Sequence, residues 1–111
     1  MRQTTATRVL GILIGVVLLG GGSILAQPEP QAAVAIDAFE FKPADLTVSA
    51  GIEVVWTNKD SESHTVSARD RSFDSGTLDQ GKIFKVRFPR AGTFTYACEF
   101  HPTMTGKVVV R

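Results

Sequence analysis

The sequence contains a single cysteine, Cys98, so the chain can form no internal disulfide to stabilise its fold. It also has little excess charge: the formal net charge is +1, and residues 27–111 carry 10 basic and 11 acidic side chains. This balance excludes the strongly basic surface that is typical of nucleic-acid binding. No acidic residue occurs before Glu29, and residues 9–26 contain no charged residue at all. With 111 residues the chain has the length of one domain.

The uncharged stretch at residues 9–26 follows two arginines, Arg2 and Arg8, and ends in a small residue, Ala26. A basic start, an apolar centre and a small residue at the end are the order of a secretory signal peptide. Its 18 residues also just reach the length of a membrane-spanning helix, so an uncleaved anchor is the alternative. We therefore predict that residues 1–26 are a signal peptide or a membrane anchor. Both interpretations place the rest of the chain outside the cytoplasm, in the periplasm.

The rest of the chain has the pattern of a small all-β domain. Residues 27–32 predict a short extended tether, because they are rich in proline and polar residues. Apolar residues then alternate with polar ones, and Gly, Pro, Asn or Asp interrupts them every eight to twelve residues. This pattern predicts that residues 33–111 form an all-β sandwich or barrel without helices. We expect about seven strands, near residues 33–41, 45–49, 52–57, 63–68, 82–88, 92–98 and 106–111.

The first predicted strand changes phase in its middle. Val34 and Ile36 share one face, whereas Phe39 is out of phase with them. A β-bulge near residues 37–38 would restore the alternation, so we predict a bulge there. Trp56 lies in a later strand and resembles a core tryptophan of immunoglobulin-type sandwiches, but the paired cysteines of those domains are missing. We therefore expect Trp56 to be a core residue.

One segment concentrates side chains that bind metals. Cys98, His101 and Met104 follow one another at intervals of three residues, after an aromatic strand. A strand would place such residues on opposite faces, so their convergence requires the strand to end and the loop to curl around a common point. Pro102 favours such an end because it cannot donate to a β ladder. One loop can therefore offer a thiolate, an imidazole and a thioether to one metal ion.

A fourth ligand should come from another part of the chain, and His64 is the only other histidine. The loops of a sandwich cluster at its two ends, so the turn before His64 and the Cys98 loop can meet at one end. One thiolate, two imidazoles and a thioether form the donor set of an electron-transfer copper site. Zinc would more often take further Cys or His in place of Met. We predict one copper ion with four ligands, His64, Cys98, His101 and Met104.

These residues resemble the cupredoxin family, and within it the small bacterial amicyanins, with plastocyanin as a broader relative. The resemblance covers about residues 39–110. His64 matches the family's upstream histidine ligand, and Asn58 matches the asparagine that ties the two ligand loops together by hydrogen bonds. The resemblance implies a cupredoxin-like Greek-key β-sandwich and a type 1 copper site in which both histidines bind through Nδ1. The C-terminal motif has the short gaps typical of amicyanin, and the residues that match it are Tyr96, Cys98, His101, Pro102, Met104 and Gly106.

The same resemblance implies how electrons would leave the site. His101 should present its ring edge to solvent within an apolar patch, while His64 lies deeper. Phe100, Pro102 and Thr103 would form part of that patch. A redox partner protein is expected to dock transiently near His101, which would be the electron port. Phe100 stands where amicyanin and plastocyanin usually have proline, a departure that bears on the hydrogen bonding of the Cys98 sulfur.

Three functions fit parts of this pattern. A mononuclear blue-copper electron carrier fits the complete ligand set. A periplasmic copper-delivery module without redox turnover is the alternative, although such proteins tend to have open sites rich in Met and His, and this chain has two of each. An enzyme with Cys98 as nucleophile would lack a recognisable third group to orient its base. We predict a monomeric electron carrier that is not an enzyme, with membrane attachment only through residues 9–26.

Overall fold

The computed structural model of this protein describes residues 30–111. Within that range the chain forms eight β-strands and no helix, so it has no helix that could cross a membrane. The predicted signal peptide or anchor, and the first half of the predicted tether, lie outside the described residues. The strands are β1 (Gln31–Asp37), β2 (Glu40–Lys42), β3 (Asp45–Val48), β4 (Glu53–Asn58), β5 (Ser67–Ala68), β6 (Ile83–Arg87), β7 (Gly92–Ala97) and β8 (Thr105–Val110).

The strands form two four-stranded sheets. One has the order β2-β1-β4-β6 and the other the order β3-β8-β7-β5. Each sheet is mixed, because β1 pairs parallel with β4 and β3 pairs parallel with β8, whereas the remaining neighbours are antiparallel. The chain crosses repeatedly from one sheet to the other, and the apolar faces of both sheets enclose one core. The predicted all-β sandwich is therefore confirmed.

Alternation along the strands determines which side chains enter the core. In β4, Val54 and Trp56 are completely buried, so Trp56 is the core residue that its position predicted. The Trp56 indole ring lies edge-on to the Tyr96 ring at 5.5 Å between centroids, a favourable aromatic geometry. In β6, Lys85 is exposed while Phe84 on the opposite face packs against the core. Sequence periodicity alone therefore identified the inner face of these strands.

The predicted first strand is in fact two strands joined by a tight turn, so the expected bulge is wrong. Asp37 pairs with Glu40, and the two residues between them are the loop of a hairpin. Ala38 and Phe39 both have a left-handed backbone, with φ of 53° and 59°. Alanine and phenylalanine rarely adopt this conformation, so the sequence carries no turn signal. The side chain of Asp60, from the loop after β4, accepts hydrogen bonds from both turn amides.

The predicted strand at residues 63–68 is also shorter than expected. Only Ser67–Ala68 pairs within a sheet, as β5, while isolated bridges join the segment to Leu78 and Asp74. The segment thus pairs with the polar chain that follows it rather than extending along β7. His64 consequently lies in a loop region at the end of the sandwich.

That end of the sandwich collects both segments that carry predicted ligands. β7 and β8 pair antiparallel with Ala97 opposite Thr105, so residues 98–104 are the loop of this hairpin. β4 ends at Asn58, and the chain that follows it brings His64 to the same end. At the opposite end β1 begins at Gln31, two residues before the expected start of the domain, because it pairs there with β4.

Candidate metal centre

Three of the four predicted ligands converge at this end of the sandwich. The Sγ atom of Cys98 lies 3.7 Å from Nδ1 of His64 and 3.8 Å from Nδ1 of His101. All three atoms lie within 4.8 Å of one another. A sulfur about 2.3 Å and a nitrogen about 2.0–2.1 Å from one metal ion, at tetrahedral to trigonal angles, are separated by about 3.6–3.8 Å. The observed distances therefore fit ligands of one shared ion.

The three-residue spacing of the motif has a direct structural cause. The N–H of His101 donates to the carbonyl oxygen of Cys98 at 3.3 Å, and the N–H of Met104 donates to that of His101 at 2.8 Å. Each bond closes a turn that returns the chain to the same side. The N–H of Cys98 then donates to the carbonyl oxygen of Met104 at 3.0 Å and closes the whole loop. Two consecutive turns thus bring every third residue to one point.

The donors differ in their access to solvent. Cys98 and His64 are 1% and 0% exposed, Met104 is 5% exposed, and His101 is half-buried. His64 therefore lies deeper than His101, as the family resemblance implies. The free thiol of Cys98 is buried beside two imidazoles rather than in a purely apolar environment. Within residues 30–111, His64, Cys98 and His101 form the group of side chains suited to a metal ion.

The donor set fits copper. A thiolate and a thioether favour Cu(I), imidazoles suit Cu(II), and the combination of two histidines, one cysteine and a weak methionine is that of a blue-copper site. A family model for the cupredoxin-like domain matches residues 10–110 of the chain. The chain belongs to the cupredoxin family. Family and donor set together identify an electron-transfer copper protein.

Relatives of this cupredoxin agree with the predicted resemblance. Amicyanin-alpha of Methylorubrum extorquens is 29% identical over 118 residues, which cover 99% of this chain and 99% of the relative. Chloroplastic plastocyanin of Tetradesmus obliquus is 33% identical over 87 residues, 67% of this chain and 60% of the relative. Among solved structures, a purple cupredoxin from Nitrosopumilus maritimus superposes with a TM-score of 0.68 and 31% identity. The superposition covers 72% of this chain and 99% of the solved chain.

Thr65 joins the two ligand loops of this cupredoxin. Its N–H donates to Sγ of Cys98 at 3.4 Å, and its hydroxyl oxygen accepts the N–H of Glu99 at 2.9 Å. Only 2% of Thr65 is exposed. Sequence reasoning did not select this residue, although a threonine directly after the His64 ligand, in a segment that becomes buried, was the available signal.

Asn58 has a different role from the one that the resemblance implies. Its Nδ2 donates to the carbonyl oxygens of Glu62 and Leu78 at 2.9 and 2.8 Å, and its Oδ1 accepts the N–H of Asp60. Asn58 is completely buried, and these bonds shape the loop that carries His64. The tie to the cysteine loop is made by Thr65 instead. The physical reason is that the Asn58 side chain at the end of β4 bonds to its own loop and to Leu78, which pairs with His64.

Asp60 is a site residue that the sequence analysis missed. Its Oδ2 lies 2.8 Å from Nε2 of His64, and its side chain is 12% exposed. Burial alone raises the pKa of Asp60, but hydrogen bonds from two backbone amides and from the His64 ring lower it below its ordinary value. An ionised carboxylate only accepts hydrogen bonds, so Nε2 donates in this contact, and Nδ1 is the ring nitrogen that faces Cys98.

Phe39 is a second residue that the sequence analysis left outside the site. Its ring centroid lies 5.2 Å from that of His64 and 5.0 Å from that of His101, and it meets both edge-on. The two imidazole centroids are 5.3 Å apart. Phe39 is 46% exposed, so it also forms part of the surface above the site. The hairpin turn after β1 is what brings this side chain to the metal end.

Proposed function

We propose that this chain is an extracytoplasmic electron carrier that uses one type 1 copper ion. The observation that carries the proposal is the convergence of a buried cysteine sulfur with Nδ1 atoms of two histidines, at distances that one ion can bridge. The residues that would hold the ion are His64, Cys98 and His101, with Met104 as a fourth and weaker donor. Copper, when bound, supplies the one-electron couple.

The protein's contribution is to hold these donors in one arrangement. The turn bonds of residues 98–104 and the pairing of β7 with β8 hold Cys98, and Thr65 links that loop to the one carrying His64. A site that stays the same in both oxidation states needs little rearrangement for each electron transfer. Burial of Cys98 also keeps water away from the sulfur. Rigid donors and a dry sulfur are the properties that an electron carrier requires.

His101 is the proposed electron port, because it is the histidine donor that is partly accessible to solvent. Exposed apolar side chains surround it: Phe39 is 46% exposed, Phe100 is 51% exposed, and Pro102 is also exposed. A partner that covers this patch comes close to the metal and buries apolar surface without strong ion pairs. Weak, short-lived association of this kind suits a carrier that must leave after each transfer.

The order of the chain supports a location outside the cytoplasm. Residues 1–26 are proposed as a signal peptide or anchor, and a short tether leads from them to β1 at Gln31. The domain itself is proposed to be a periplasmic monomer without a catalytic role. Cell fractionation, followed by mass spectrometry of the isolated protein, separates cleavage near Ala26 from retention. A full-length, soluble, cytoplasmic product contradicts both forms of this proposal.

A copper-delivery module is the alternative, and burial of its donors argues against it. Delivery requires that a recipient reach the ion, whereas Cys98 and His64 are 1% and 0% exposed. The experiment is to cycle the copper protein between oxidation states in the presence of a chelator and to measure electron self-exchange by NMR line broadening. A carrier keeps its copper through repeated cycles and exchanges electrons. Loss of copper to the chelator on reduction, without self-exchange, would favour delivery.

A variant at the docking patch tests the port separately. Thr103 is exposed, next to Pro102, and contributes no donor to the metal. Thr103→Lys should slow self-exchange, because two like-charged patches must then meet, while the visible spectrum stays the same. Lys59→Thr, which changes charge in another loop at this end, is the comparison. Unaltered self-exchange in Thr103→Lys would mean that electrons leave through another face.

A further inference from the structure

The turn at Ala38 and Phe39 adopts a conformation that its sequence does not favour. Both residues have positive φ, of 53° and 59°, without glycine or asparagine at either position. Such a backbone persists only where surrounding contacts hold it, and it occurs disproportionately at functional sites. Contacts from other parts of the chain must therefore hold this turn.

Asp60 holds the turn, and the same carboxylate contacts a histidine donor. Its Oδ1 accepts the N–H of Ala38 at 2.8 Å, and its Oδ2 accepts the N–H of Phe39 at 2.9 Å. Oδ2 also lies 2.8 Å from Nε2 of His64. Three bonds therefore converge on one side chain, and they connect the hairpin of one sheet edge to the loop after β4. A change at Asp60 that breaks its bonds to the turn would therefore also affect its contact with His64.

The Ala38–Phe39 turn places the Phe39 ring against both imidazole rings. Phe39 meets His64 at an interplanar angle of 89° and His101 at 81°, so the ring lies edge-on to each. This is the favourable geometry for aromatic pairs. His64 is buried and bonded to Asp60, whereas His101 sits on the hairpin loop of β7 and β8 and is half-buried. Phe39 thus contacts the more accessible histidine, His101, and the more restrained one, His64, together.

We propose that Phe39, held in its turn by Asp60, is a positioning residue that sets the orientation of the His101 ring relative to His64. The proposal rests on the proposed function only in that both histidines are taken as metal ligands. Asp60 restrains His64 directly and His101 through Phe39. Asp60 and Phe39 act on His101 through the same contacts. Removing the Phe39 ring and removing the Asp60 carboxylate should therefore have overlapping effects on the orientation of the His101 ring.

Metal-free protein provides the first test, because ring order there does not depend on copper. In Phe39→Leu, which keeps an apolar side chain of similar reach, NMR relaxation of the imidazole should report that His101 loses its single ring orientation. His64, still bonded to Asp60, should keep its orientation and its Nε2–H tautomer. Ile83→Leu is the control, since Ile83 is an exposed apolar side chain at the start of β6 that has no role in the metal site.

The second test removes the Asp60 carboxylate, which holds the turn. Asp60→Asn should disturb the turn amides and the tautomer of His64, and it should also disorder the His101 ring. Glu62→Gln removes the same charge from the same loop at an exposed position and should change none of these readouts. In the double variant of Asp60→Asn and Phe39→Leu, the disorder of His101 should be no larger than in Asp60→Asn alone.

The copper-loaded protein gives an independent spectroscopic readout. Phe39→Leu should alter the EPR rhombicity and the reduction potential relative to wild type, while Ile83→Leu leaves the EPR signal unchanged. Unchanged His101 order in metal-free Phe39→Leu, or additive effects in the double variant, would overturn the proposal. Failure of the wild type to take up copper would instead overturn the proposed function and leave the ring measurement standing.

Discussion

Replacing Thr65 with valine tests whether the two ligand loops depend on one buried hydroxyl. Valine keeps the shape and the backbone N–H of threonine, so the bond from that N–H to Cys98 Sγ remains. The variant removes only the hydroxyl, which accepts the N–H of Glu99 at 2.9 Å and lies 3.0 Å from the hydroxyl of Ser67. Thr65 is 2% exposed, so water does not readily replace the lost group on its side.

The size of the effect follows from these contacts. Removing one partner of a buried hydrogen bond costs about 1–3 kcal/mol, and the Glu99 side of this bond is near solvent, which favours the lower part of that range. We expect the free energy of unfolding of the metal-free protein to fall by about 1–2 kcal/mol. For a domain of this size each kcal/mol lowers Tm by roughly 4–8 °C.

Denaturant unfolding and hydrogen exchange measure the two consequences. The Glu99 amide should exchange faster in Thr65→Val, and the copper protein should shift its reduction potential because the loop that carries Cys98 is less restrained. Thr47→Val is the matched control, since Thr47 is exposed on β3 and far from the site along the strand. Equal stability of Thr65→Val and Thr47→Val, with an unchanged Glu99 exchange rate, would refute the role assigned to Thr65.

Three further predictions concern other parts of the domain. Met104→Gln should retain copper but lower the reduction potential in voltammetry, because an amide oxygen favours Cu(II) more than a thioether does; loss of all copper would contradict an axial role. Gly106→Ala should destabilise the protein by about 1–3 kcal/mol in denaturant unfolding, since a Cβ there would lie 2.5 Å from the Tyr96 ring; wild-type stability would disprove the close approach. Burial raises the pKa of Tyr96, the only tyrosine, to about 12, so its phenolate absorbance should appear about two units higher in the folded than in the unfolded protein. Stability should accordingly fall as the pH rises from about 10 to 12, because the unfolded chain ionises first, and a normal titration of the folded protein would contradict this burial.

The strands and the C-terminal ligand loop could be predicted from the sequence because their signals are local. Alternation in β4 and β6 identified the inner face, including Trp56, without knowledge of any partner strand. The interval of three residues between Cys98, His101 and Met104 corresponds to two consecutive turns, each closed within the loop itself. Local hydrogen bonds and the alternation of side chains depend on residues that are close together in the sequence, so a sequence pattern can reveal them.

The missed features depend on residues far apart in the chain. The Ala38–Phe39 turn is held by Asp60, more than twenty residues later, and neither turn residue is a usual turn former. Thr65 and Glu99 meet only after both loops reach the same end of the sandwich. For Asn58 the residue type was right but the partners were wrong, because its bonds depend on the path of its own loop and on the position of Leu78, twenty residues later.

Adding Cu(II) to the purified domain and recording its visible and EPR spectra tests the central claim most directly. A type 1 site should give an intense thiolate-to-Cu(II) charge-transfer band with a small copper hyperfine splitting, because Cys98 Sγ lies beside both histidine Nδ1 atoms. Cys98→Ser should abolish the band. A colourless wild-type protein after copper loading, or the same colour in the serine variant, would contradict the assignment of this centre.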